Sequence, residues 1–174
     1  RLEILGTQLD LGGIAKGYAT DEALRVLRER GFPRALVDGG GDLSLGDPPP
    51  GKPGWRIGLA PLDESAQEPS RFFVLANCGV ATSGDAFQHV TFNGKRYSHI
   101  VDPETGLGLT DQSSVTVIAP DGLAADALAS TISALGPKRG LALADKHEGV
   151  AAFVVRQENG RVVTYASQRW KQEE

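Results

Sequence analysis

The sequence predicts an α+β fold: a mostly antiparallel sheet with two main helices and a short third one. Three observations carry this. Short β-branched or aromatic runs bounded by Gly, Pro or Asn outnumber helical ones. Substantial helical patterns occupy only two stretches, Ala15 to Arg30 and about Leu123 to Leu135. The strands follow one another without helices between them, which an alternating βαβ array does not do. A chain of 174 residues with 40% hydrophobic side chains suits one compact unit spanning 1–174.

In chain order, Leu2 to Leu9 reads as the end of a strand. In the first helix Ala15, Ala19, Ala23, Val26, Leu27 and Arg30 recur at helical spacing, and Gly31 follows as its cap. Ala35–Val37 and Leu43–Leu45 read as buried strand on either side of "DGGGD", Asp38 to Asp42, which makes a bulge or sharp turn. Asp47 to Gly54, "DPPPGKPG", is a solvated loop between strands. "WRIGLAPL" and "RFFVLA" form two strands joined by the polar loop Asp63–Ser70, and a third begins near Gly79 and runs into "ATSGD". "KRYSHIVD", Lys95 to Asp102, alternates as a strand and ends at the turn Asp102–Gly106. "SSVTVIAP" is a β-branched strand bounded by Pro120. The Ala-rich second helix follows, and Pro137 opens the short third helix, since Pro is favoured at the first helical position. "GVAAFVVR" and "RVVTYAS" close the chain as a hairpin around Asn159-Gly160.

Composition narrows the function. A net charge of −4 with scattered Lys and Arg gives no footprint for nucleic acid. No apolar run reaches the ~18 residues of a membrane span. The single cysteine, Cys78, excludes an internal disulfide framework and reads as a small buried hydrophobe. The chain opens on Arg1 and reads as a processed or trimmed piece. Its 22 glycines cluster in short motifs, as in a site built on loops.

Four segments combine glycine with polar residues. In "DLGGIAKGYATD", Gly12, Gly13 and Gly17 surround Lys16 at a helix start. Backbone N–H groups there favour an anion and the lysine adds a charge, although a plain tight turn explains the same residues. The motif matches neither the Walker loop nor the dinucleotide fingerprint. In "DGGGD" the glycines admit close approach of a ligand or of another backbone. In "ATSGD", Thr82 and Ser83 offer hydroxyls and Gly84 lets the chain bend. His99, just before an acid-and-turn segment, is placed to act as a general base, whereas His89 and His147 read as structural or solvated. In "APDGLAADALAS", Asp121 is an N-cap, while Asp126 lies too far into the helix to cap it. Ser130, four residues on, shares its face. This hard oxygen pair suits magnesium, against the alternative of an ordinary polar stripe. Together the segments supply phosphate donors, an oxygen-ligand metal site and a base, the equipment for metal-assisted chemistry at a phosphate.

In this order, "DLGGIAKGYATD", "DGGGDL", "ATSGD", "YSHIVDPETG" and "SVTVIAPDGLAADALAS" resemble the ApbE-type FAD:protein FMN transferases, formerly labelled thiamine-biosynthesis lipoproteins. The resemblance runs from about Leu9 to the C-terminus. It implies a T-fold-like α+β architecture and a magnesium-dependent enzyme that moves the FMN half of FAD onto a threonine hydroxyl of an acceptor protein, releasing AMP. The implied acceptors are flavin-bearing subunits of membrane redox complexes, and the implied location is the periplasm, at the outer face of the bacterial inner membrane. Some family members hydrolyse FAD to FMN and AMP instead. By the same resemblance Asp126, Ser130 (commonly threonine) and the carbonyl of Gly13, or alternatively Ala15, would hold Mg2+. His99 would be the base. Lys16, Gly40, Gly41, Thr82, Ser83 and Gly84 would surround the FAD pyrophosphate. Full-length members carry a further segment before the opening motif that contributes to the flavin or adenine pocket, and this chain lacks it. The alternative from another class is a truncated flavin-binding module without catalysis.

Overall fold

The structure, a computed structural model, describes residues 3–59, 72–84 and 89–170. In chain order the elements are α1 (Ala15–Glu29), β1 (Leu36–Asp38), β2 (Leu43–Leu45), β3 (Trp55–Gly58), β4 (Phe72–Leu75), β5 (Cys78–Gly84), β6 (His89–Phe92), β7 (Lys95–Ser98), β8 (Ser113–Ala119), α2 (Gly122–Ala144), β9 (Ala151–Glu158) and β10 (Arg161–Ala166). Six strands form one sheet in the order β1-β2-β5-β8-β9-β10, and every neighbouring pair is antiparallel. The pairs β3–β4 and β6–β7 are separate two-stranded ribbons. The predicted α+β, mostly antiparallel architecture is what folds.

Alternation along the central strands sorts the core onto two faces. Val115, Val117 and Ala119 of β8 and Ala152 and Val154 of β9 pack with Ala125, Ala129 and Ile132 of α2. The small residues of α2 let it lie close to the sheet. On the other side, Phe153 stacks on Trp170 with centroids 5.1 Å apart, and Phe73 of β4 meets the same indole edge-on at 5.0 Å. The β3–β4 ribbon thus covers the face that α2 leaves open.

The helix ends follow the sequence signals. Gly31, at φ 88°, ends α1, where its N–H and that of Phe32 reach back to Arg28 and Leu27 carbonyls at 3.0 and 2.9 Å. Asp121 caps α2 by accepting the Ala124 N–H at 2.7 Å. Gly136, at φ 74°, breaks α2 immediately before Pro137, which separates the predicted second helix from the short third one. Asn159 and Gly160, both at positive φ, turn the closing hairpin as expected. Among the described residues, no helix is long and apolar enough to cross a membrane.

Several expectations are corrected. Residues 3–9 are turn and irregular chain, not strand. The period of α1 is right but its phase is not: Gly17, Thr20 and Leu24 are buried, while Ala15, Ala19, Ala23 and Val26 are exposed. Near its start this helix packs through the small residues Gly17 and Thr20, because α2 comes so close there that a Cβ on Gly17 would overlap the Gly122 carbonyl. The strand expected over 95–102 stops at Ser98, leaving His99 at a bend, and Val101 keeps only an isolated bridge to Gly108. Strand β6 was not anticipated. It pairs with β7 through a second Asn-Gly turn, Asn93-Gly94, of the same kind as the one that closes the chain. The loop Asp63–Ser70 and Asp85 of "ATSGD" lie outside the described residues.

Candidate active site

Five segments distant in sequence close on one polar cavity of about 190 Å³. The start of α1 brings Gly12 and Lys16, and the β1–β2 turn brings Gly40. The end of β5 brings Thr82, Ser83 and Gly84; the bend after β7 brings His99; α2 brings Asp126 and Ser130. Gly13 sits at the margin, where a Cβ would meet Ser130 Cβ and Oγ at 3.3 Å. Gly41 faces the neighbouring cleft instead.

Asp126 is 5% exposed, and its Oδ2 accepts the Gly17 N–H at 3.0 Å. Gly17 is required there: a Cβ would overlap the Gly122 carbonyl and the Cβ of Asp126. His99 is placed by its neighbours. Ser98 N–H donates to the Leu109 carbonyl at 2.7 Å, Leu109 N–H to the Ile100 carbonyl at 2.8 Å, and Ile100 N–H to Ser98 Oγ at 3.0 Å. The following Asp102 caps its own turn through Glu104 N–H and Thr105 Oγ1, so it serves the loop. In the β1–β2 turn, Gly40 and Gly41 take φ of 80° and 97°, which only glycine adopts readily. Their N–H groups both donate to Asp38 Oδ1, at 2.9 and 2.8 Å, so they are already satisfied within the turn.

The sequence reading assigned no role to Asp42, which turns out to anchor Lys16. Asp42 is 2% exposed, and Lys16 Nζ stands 2.5 Å from its Oδ2. At that separation the ammonium and the carboxylate are in direct contact as an ion pair. Burial pushes the Asp42 carboxyl above its usual range; Lys16 opposes this through hydrogen bonding and charge, Asp126 adds to it, and the Thr82 backbone opposes it. A carboxyl raised on folding stabilises the protein at low pH, and that contribution is lost as pH rises from the unfolded value, about 3.9, through the folded one. Asp42→Asn is therefore expected to gain stability relative to Asp42 as pH rises from about 4 to 8, with the half-exposed Lys16 left to water. Urea unfolding of both proteins across that range measures it, and a pH-independent difference contradicts it. The signal for Asp42 lay in "DGGGD", but only the hairpin fold carries its second acid under α1.

Beside the polar cavity lies a larger cleft of about 460 Å³, lined by Leu36, Leu43, Arg56, Ile57, Phe73, Ile118 and Trp170. Thr82 belongs to both spaces, and its Oγ1 lies 2.9 Å from Thr116 Oγ1. His89, exposed on β6, has Nδ1 3.0 Å from an Arg96 nitrogen, and His147 is exposed beyond α2; neither lines the cavity. Burial raises the Cys78 thiol to about 11, which keeps it an unreactive packing residue. Among the described residues, no group of three His, Cys, Asp or Glu converges to hold a metal.

Comparison with known proteins adds to this geometry. A FAD:protein FMN transferase of Treponema pallidum (strain Nichols) is 36% identical over 159 residues, covering 86% of this chain and 44% of that protein. One from Escherichia coli (strain K12) is 33% identical over 165 residues, covering 94% and 46%. The apo crystal structure of Pseudomonas stutzeri flavinyl transferase ApbE matches with a TM-score of 0.76 at 37% identity, covering 92% of this chain and 50% of that one. The chain thus spans about half the length of the relatives it matches. The ApbE family model matches residues 2–154, and the chain belongs to that family.

Proposed function

We propose that this chain carries the phosphate-handling site of a magnesium-dependent flavin transferase, which moves FMN from FAD onto a threonine hydroxyl of an acceptor protein and releases AMP. The observation that supports it most is the meeting of Lys16, Ser83, Gly84, His99, Asp126 and Ser130 around one polar cavity. The names of the relatives supply the substrate.

The donor set fits magnesium. Asp126 spends Oδ2 on Gly17, and its other oxygen takes no protein hydrogen bond among the described residues. Ser130 lines the same cavity and Gly13 abuts it, so one carboxylate, a hydroxyl and the Gly13 carbonyl would be the ligands. A hard set with a single charge leaves places for waters and phosphate oxygens, as magnesium prefers. Held by these residues, magnesium would supply charge neutralisation at the diphosphate.

The remaining work falls to side chains. His99 takes the proton of the acceptor threonine as its oxygen bonds to the FMN phosphorus. The bond from that phosphorus to the bridging oxygen breaks, and AMP leaves with the electron pair. Ser83 and the Gly84 backbone face the phosphates as donors, and Lys16, held by Asp42, places positive charge at the rim. The adjoining apolar cleft suits a ring system of the dinucleotide, because Thr82 joins it to the phosphate cavity.

Incubating the protein with FAD, Mg2+ and a threonine-bearing acceptor polypeptide tests this by mass spectrometry. The expected product is the acceptor with FMN attached; free FMN and AMP without an adduct would instead mean hydrolysis by water.

A further inference from the structure

Asp21 lies outside the cavity, yet its carboxylate joins the two helices that form it. From α1, its Oδ1 accepts the Gly122 N–H at 2.9 Å and its Oδ2 the Leu123 N–H at 2.8 Å. These amides belong to the first turn of α2, which has no intrahelical partners for them. The helix's own cap, Asp121, serves the next amide, Ala124. Capping of α2 is therefore shared between its own chain and the opposite helix. From β2, Ser44 Oγ donates to Asp21 Oδ1 at 2.6 Å and holds the carboxylate from behind.

One helical turn away the direction of donation reverses. Gly17, four residues before Asp21, donates its N–H to Asp126, four residues after Gly122. A turn further, Gly13 meets Ser130. The two helices thus pass with opposite sense, tied by rungs at successive turns, and there is no slack between them. A Cβ on Gly122 would stand 2.5 Å from Ser44 Oγ, 2.9 Å from Asp21 Oδ1 and 3.0 Å from the Gly17 carbonyl.

Building on the reading of Asp126 and Ser130 as metal ligands, we propose that Asp21 is a positioning residue. Its cap across the helix pair sets the separation at which Gly13 and Gly17 meet Ser130 and Asp126, and cation affinity depends on that separation. An ordinary cap would contribute to stability alone.

The test compares Asp21→Asn with Asp121→Ala, which removes the helix's own cap and no contact between helices. Mn2+ affinity is titrated by electron paramagnetic resonance, and exchange of the Gly17 amide is followed by NMR, on the full chain without FAD. Asp21→Asn is expected to weaken Mn2+ binding about 10–100-fold, as loss of a residue supporting metal ligands does, and to speed Gly17 exchange. Asp121→Ala is expected to lower stability while leaving both readings near those of the natural chain. Unchanged Mn2+ affinity and Gly17 protection in Asp21→Asn, or equal losses in both variants, overturn the proposal. If the natural chain itself fails to bind Mn2+, the metal reading falls, and Gly17 exchange alone decides the role of Asp21. If Asp21→Asn does not fold, Ser44→Ala loosens the same carboxylate from behind, with the same signs expected at smaller size.

Discussion

Asp126→Asn is expected to abolish magnesium binding and flavin transfer together. Asp126 is the only acid lining the cavity among the described residues, so neutralising it removes the negative charge of the ligand set. The amide oxygen still accepts the Gly17 N–H, so the wall between the helices is kept. That makes Asn the sharper variant. Alanine would also leave the Gly17 donor buried and unmet, at about 1–3 kcal/mol of stability. Calorimetry with Mg2+ should show no binding to Asp126→Asn, and transfer at saturating FAD should fall below detection. Magnesium binding equal to that of the natural chain would remove Asp126 from the ligand set.

His99→Ala is expected to lower transfer by about 10²–10⁴-fold, the range a general base contributes, while FAD binding stays intact. The two halves of this expectation follow from where the residue sits. His99 is exposed and lies just past the end of β7, so deleting its ring opens no hole in the core. It lines the cavity from a segment fixed through Ser98, Ile100 and Leu109. FAD titration followed by flavin fluorescence, with rates measured on the same samples, separates binding from chemistry. Transfer at the natural rate would exclude His99 as the base.

The grouping of the candidate site residues was more legible in the sequence than some of the fold around them. Lys16, Thr82, Ser83, His99, Asp126 and Ser130 each sit in a short motif whose glycines and polar residues a plain core would not need, and the motifs converge. The caps at Gly31 and Asp121, the break at Gly136 and the turn at Asn159-Gly160 were also readable, because each is settled by local chemistry. What failed was non-local. The buried face of α1 is set by how near α2 comes, so Gly17 and Thr20 turn inward while Ala19 and Val26 face out. Asp21 carries no signal of its role in the sequence, because its partners Gly122 and Leu123 lie about a hundred residues away. The Asp42–Lys16 pair needs the β1–β2 hairpin before its acid can be placed. The Asn93-Gly94 turn is the exception: its signal was local, but the four-residue strand before it, β6, is exposed along its whole length and buries no face that would mark it as a strand.

The most direct measurement is AMP release from FAD, followed by chromatography with the acceptor polypeptide present, with and without Mg2+. The account predicts AMP in step with flavinylated acceptor, only when Mg2+ is present and lost in Asp126→Asn. Flavin retained by the protein with no AMP formed under any of these conditions would contradict it.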